Sequence, residues 1–137
     1  MEIDERLQAL AELIAILESA DADFGHWEAP APVDGVHRMP YFESGPTAEA
    51  FTLAVARGSW VIVGFDWMTW LQTDEGQALR DRREALVEAG ADELAKLLTA
   101  IVRSDRFVEG SMSGAIESGL LTRIAQRAAT LLAEARK

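Results

Sequence analysis

Residues 93–106, Glu93-Leu-Ala-Lys-Leu-Leu-Thr-Ala-Ile-Val-Arg-Ser-Asp-Arg106, decide the fold. Leu94, Leu97, Leu98, Ile101 and Val102 recur at spacings of three and four, which lays a wide apolar stripe along one helical face. This is the most hydrophobic helix in the chain and is expected to be its central core element. Asp92 is read as its cap, Gly90 as the stop before it and Gly110 as the stop after it.

Working outward, Thr73 begins a helix from about Asp74 to Glu88, with Leu79, Leu86 and Val87 on a thin apolar face. Asp66 is a natural N-cap for a short helix at Trp67–Leu71. Trp60-Val-Ile-Val63 looks like a short buried strand with the loop near Val36 as its partner, or else apolar coil or a helix end. Thr47 is expected to cap a helix over Ala48–Arg57 that Gly58 ends. On the other side, Ser111 or Ser113 starts a short helix through Glu117, and Gly119 breaks the chain. Leu120 to about Arg136 is then the last helix, with Leu121, Ile124, Ala128 and Leu131 in line. The first helix is expected over Asp4–Ser19, on the stripe Ile3, Leu7, Leu10, Ile14 and Leu17.

Residues 20–46 differ in kind. They hold all four prolines and both histidines. Long regular structure is therefore improbable there, because proline lacks a donor and fixes φ. Phe24, Trp27, Val33, Val36, Met39, Tyr41 and Phe42 are nonetheless too apolar for a linker. An ordered loop packing across the helices is expected, with a short extended piece at Val33–Arg38. The fold class is all-α or nearly so: one domain over 1–137, with about five to seven helices and at most one β pair. It divides into an amphipathic helix (1–19), an ordered loop (20–46) and a helical core (47–137).

Composition excludes several functions. There is no cysteine, hence no disulfide, thiol nucleophile or thiolate metal site. No apolar run is long enough to span a membrane, and the acidic N-terminus is no signal peptide, so a cytoplasmic location is expected. The net charge of −10 argues against nucleic-acid binding, which needs clustered Lys and Arg. The charge is uneven: residues 1–28 hold eight acids against one Arg, and residues 118–137 hold four bases against one acid. Two oppositely charged terminal helices lying side by side are the simplest reading.

Three segments are distinctive: Gly64-Phe-Asp-Trp-Met-Thr-Trp70, Leu97-Leu-Thr-Ala-Ile-Val-Arg-Ser-Asp-Arg-Phe-Val-Glu-Gly110, and Glu117-Ser-Gly-Leu-Leu121. With Met39-Pro-Tyr-Phe-Glu43 they resemble a bacterial family of small proteins known only as a domain of unknown function. The resemblance covers roughly residues 36–127, leaves the first helix outside, and implies a shared fold but no activity.

Arg103 and Arg106 fall three apart on one helical face, and Asp105 and Glu109 four apart on a neighbouring one. Guanidinium forks suit carboxylate or phosphate, so this cluster is either an ion-pair network or an anion site. Trp67 and Trp70, with Trp60, Phe65 and Phe107, are either core or the wall of such a pocket. Asp66, Glu109 and Glu117 are the available general bases. His26 and His37 match no zinc spacing, so no metal site and no cofactor are expected. No GxSxG elbow, Walker A or GxGxxG pattern occurs. Arg80–Arg83, interrupted by Asp81, reads as a solvated face.

Two functions are therefore carried forward. One is a cytoplasmic binding or interaction module with an anion pocket at Arg103 and Arg106. Near-heptad stripes on the terminal helices suggest a homodimer, although packing on the domain's own core explains them equally. The other is a small enzyme acting on an anionic substrate, with Asp66 or Glu109 as base.

Overall fold

The structure, a computed structural model, describes residues 2–19, 21–23, 25–36, 39–104 and 119–136. In chain order these form α1 (Ile3–Ala11), α2 (Leu13–Glu18), β1 (Gly25–Glu28), β2 (Tyr41–Ser44), α3 (Pro46–Arg57), α4 (Trp67–Leu71), α5 (Asp74–Asp81), α6 (Arg83–Val87), α7 (Ala91–Ser104) and α8 (Leu120–Ala135). The fold is a mostly helical bundle with one two-stranded antiparallel sheet.

The core is a single cluster. Leu94, Ala95, Leu97, Leu98, Ala100 and Ile101 of α7 meet Leu7, Leu10, Leu13 and Leu17 of the first two helices, Phe51 and Val55 of α3, and Leu121, Ile124, Ala125 and Ala128 of α8. The stripe of α7 is thus buried from Leu94 to Ile101, with Val102 partly buried against the same core. The terminal helices do lie side by side, with α1 packed on α8. The stripes that suggested a dimer face the chain's own core.

Several boundaries differ from expectation. The first helix breaks at Glu12 into α1 and α2. Gly45 is the N-cap of α3 and Pro46 its first residue. Thr47 is instead buried in the first turn, where its Oγ1 accepts from Asp23 N–H at 2.9 Å and its N–H donates to Asp23 O at 2.9 Å. It ties the hairpin to α3. Helix α7 starts one residue before Asp92, and Glu93 Oε2 reaches back to accept from Gly90 N–H at 3.2 Å; this is the carboxylate half of a capping box. Asp66 does cap α4, accepting from Thr69 N–H.

The expected helix over 74–88 is two. Arg82 is extended, and the chain turns there. The turn has a packing reason: α5 lies against α4 and α7, whereas α6 is carried over to α8.

The strand expected at Trp60–Val63 is coil. Trp60 is fully buried but Val63 is 88% exposed, so the run does not lie flat in the core. Its backbone is satisfied by a side chain: Thr99 Oγ1, deep in α7, accepts from Ile62 N–H at 2.9 Å. The β pair lies instead at Gly25–Glu28 and Tyr41–Ser44. Val33 and Val36 only bridge a turn in the connecting loop. Among the described residues of this segment, Trp27, Val33, Val36, Met39 and Tyr41 are exposed, and its contact with the helices is that of β1 and Asp23 with α3. The short helix expected from Ser111 or Ser113 to Glu117, with the Gly110 stop, lies outside the described residues.

Candidate functional site: an arginine cleft between two helices

The turn at Arg82 brings the short helix α6 against α8, and between them lies a cleft of about 340 Å³. Arg83, Leu86 and Val87 line it from α6, and Arg123, Gln126, Arg127 and Thr130 from α8. Positions 123, 126, 127 and 130 follow the three-and-four rule, so they form one stripe beside the buried stripe of α8. Its apolar lining is Leu86 and Val87, and three of its seven lining residues are arginines.

Each arginine is positioned by its own local structure. Arg123 follows Gly119, which adopts φ +80°; a Cβ at Gly119 would come within 3.3 Å of Arg123 Nη1. Glycine therefore both permits the left-handed turn and lets the guanidinium lie over it. Arg127 donates from Nε to Ala89 O at 2.7 Å, just past the end of α6. That bond anchors α6 on α8 and holds the cleft's width. Arg83 is exposed at the start of α6.

The electrostatics are unusual for this chain. Burial, followed by the neighbouring Arg83 charge, pushes Arg123 below the usual guanidinium range. Like charges are held together at the surface of a molecule whose net charge is −10. Among the described residues no carboxylate lines the cleft; Glu18 stands at its edge, accepting from Gln126 Nε2 at 3.1 Å. Such an arrangement attracts an anion.

The residues singled out in the sequence are placed as follows. Arg103 is half-buried on the last turn of α7 and makes no ion pair with a described residue. Arg106, Asp105, Phe107, Glu109 and Glu117 lie outside the described residues, as does His37. Trp70 is buried in the core and donates from Nε1 to Glu75 Oε2 at 3.4 Å, with Phe65 at a ring-centroid distance of 6.0 Å. Trp67 is half-buried against the same core. Asp66 is exposed, and its bonds from the Thr69 hydroxyl (2.7 Å) and Thr69 N–H (3.1 Å) hold its carboxyl below the usual range. A carboxylate so stabilised is a weak proton acceptor at neutral pH.

The arginine cleft was not legible in advance. Arg83 read as part of a solvated run, and residues 80–83 are indeed all exposed; Arg80 pairs with Asp81 at 3.0 Å, while Arg83 also lines the cleft. The one available signal was the basic excess of the last helix.

A second polar group lies on the hairpin. His26, Glu28 and Glu43 present one ligand atom each, all within 4.8 Å of one another. His26 Nε2 is 2.6 Å from Glu28 Oε1 and 3.7 Å from Glu43 Oε2. The Glu28 hydrogen bond raises the His26 ring above the usual imidazole range; desolvation opposes it, and the charges of Glu28, Glu43 and Asp23 add smaller upward contributions.

Residues 2–134 match the model of a family of unknown function (DUF6508), so the chain belongs to that family, and its first helix lies inside the match. No curated protein and no solved structure matches it.

Proposed function

We propose that this member of the DUF6508 family is a small cytoplasmic binding module that captures an anionic group, a phosphate or carboxylate, in the cleft between α6 and α8. The observation that carries the reading is the convergence of Arg83, Arg123 and Arg127 on one cleft in a strongly acidic chain. Guanidinium forks bind such groups through paired, charge-assisted hydrogen bonds. In this reading the anion is held by Arg83, Arg123 and Arg127 rather than by the Arg103 and Arg106 pair singled out in the sequence.

The size of the cleft bears on the ligand. Ligand pockets span roughly 300–1,000 Å³, so 340 Å³ suits a single anionic headgroup with a short apolar extension. Leu86 and Val87 supply the apolar wall. The absence of cysteine from the chain supports a reducing compartment. Among the described residues no helix is long and apolar enough to cross a membrane.

Titration calorimetry with inorganic phosphate and with pyrophosphate, at low ionic strength, tests the proposal. Arg123 has interactions of its own within the chain, so the test falls on Arg83, whose exposure makes Arg83→Gln structurally mild. We expect one-to-one binding of at least one probe, weakened about tenfold (about 1.4 kcal/mol) in Arg83→Gln and weakened again by added salt. Binding that is absent at about 10 mM probe, some 2.7 kcal/mol of affinity, or unchanged in Arg83→Gln, overturns it.

A further inference from the structure

Strand pairing does what linear spacing does not: it gathers a histidine and two carboxylates on one face. His26 and Glu28 are two apart on β1, so they point the same way. The antiparallel register places Glu43 of β2 directly opposite His26, and directly opposed residues share a face. Trp27 and Phe42, the intervening cross-strand pair, lie on the other face with their rings edge-on at 5.5 Å.

We infer that His26, Glu28 and Glu43 form a binding site for a first-row divalent transition metal, with zinc as the ion of reference. Four donors at 2.0–2.1 Å from a tetrahedral ion lie about 3.3 Å from one another. His26 Nε2 and Glu43 Oε2, at 3.7 Å, are nearly at that spacing; His26 and Glu28, at 2.6 Å, open by about 0.7 Å to reach it. All three side chains are at least partly exposed, at 43–59%, so rotation of the two glutamates suffices and the backbone stays in place. Two carboxylates and a neutral imidazole balance the charge of a divalent ion. The imidazole donor selects against magnesium and calcium, which favour all-oxygen shells.

The platform is held before any ion arrives. Thr47 bonds Asp23 through both its hydroxyl and its N–H, and Asp23 Oδ1 accepts from Gly25 N–H at 3.1 Å. Gly25 has φ +119°, and a Cβ there would fall 2.3 Å from Glu43 O, so only glycine lets the strands approach this closely. The hairpin base is therefore fixed to α3, and the donors lie one to three residues beyond it. Three protein donors leave a coordination position open to water.

Calorimetric titration of the full chain with Zn²⁺, with Co²⁺ absorption as a second readout, tests the site. We expect one equivalent bound with affinity of about micromolar order, unaffected by equimolar Mg²⁺. His26→Ala and the isosteric Glu43→Gln are each expected to weaken binding at least about tenfold, with unaltered far-UV circular dichroism because both side chains are exposed. Either of two results overturns the inference: no zinc binding up to about 1 mM, some 4.1 kcal/mol of affinity, or full affinity retained in both variants. Phosphate binding at the arginine cleft is measured separately and is indifferent to either outcome.

Discussion

Thr99 is the clearest case of one side chain holding two segments together. It is fully buried in α7; its hydroxyl donates to Ala95 O at 2.7 Å and accepts from Ile62 N–H at 2.9 Å. The coil after Trp60 therefore depends on a hydroxyl where the apolar stripe would accept valine. Thr99→Val nearly keeps the volume and removes the acceptor, leaving the part-buried Ile62 N–H without its partner. A loss of about 1 kcal/mol is expected, read as a lower denaturant midpoint with an unchanged m-value. Arg6 acts in a similar way from the opposite side. Its Nε donates to Gly58 O at 2.7 Å and its guanidinium lies 4.4 Å from the Trp60 ring centroid, closing the C-terminus of α3. The single base among the acids of the first helix is thus a structural clamp.

At the scale of elements, α4 is five residues long and held at its start by Asp66. The depressed carboxyl gives a signed expectation. Its stabilising contribution is present above the ordinary value of 3.8 and is lost as pH falls below it through the depressed folded value. Asp66→Ala is expected to lower thermal stability at pH 7, and the gap between variant and parent to narrow as pH falls below 3.8. A gap independent of pH between 7 and 2 would show that the charge of Asp66 contributes nothing. The break at Arg82 matters for the proposed anion site at this same scale, because the turn there carries α6 over to α8, and the cleft lies between those two helices.

For the whole molecule, the terminal helices close the bundle. Leu10 of α1 and Leu121 and Ile124 of α8 are completely buried. Leu10→Ala is expected to cost about 2–5 kcal/mol, a large share of the roughly 5–15 kcal/mol that domains possess. Chemical denaturation should show that loss in a single transition. A loss under about 1 kcal/mol would mean that α1 is peripheral to the core.

Much of the fold was legible because it rests on periodicity. The stripes of α7, α8 and the first helix, the cap at Asp66 and the break at Gly119 are local consequences of side-chain type, readable wherever neighbours in space are three or four residues apart in sequence. The sites were not legible in that way. Trp67 and Trp70 offered aromatic area, and packing assigned that area to the core. Arg83 and Arg127 are 44 positions apart in sequence, and His26 meets Glu43 only through a strand register. Charge and donor type are properties of residues, so the sequence alone determined that this is an acidic, mostly helical chain with arginines and a histidine to place. Which of them converge depends on a turn at Arg82 and a pairing across a proline-rich loop. Both are set by long-range packing, and only the tertiary structure decided them.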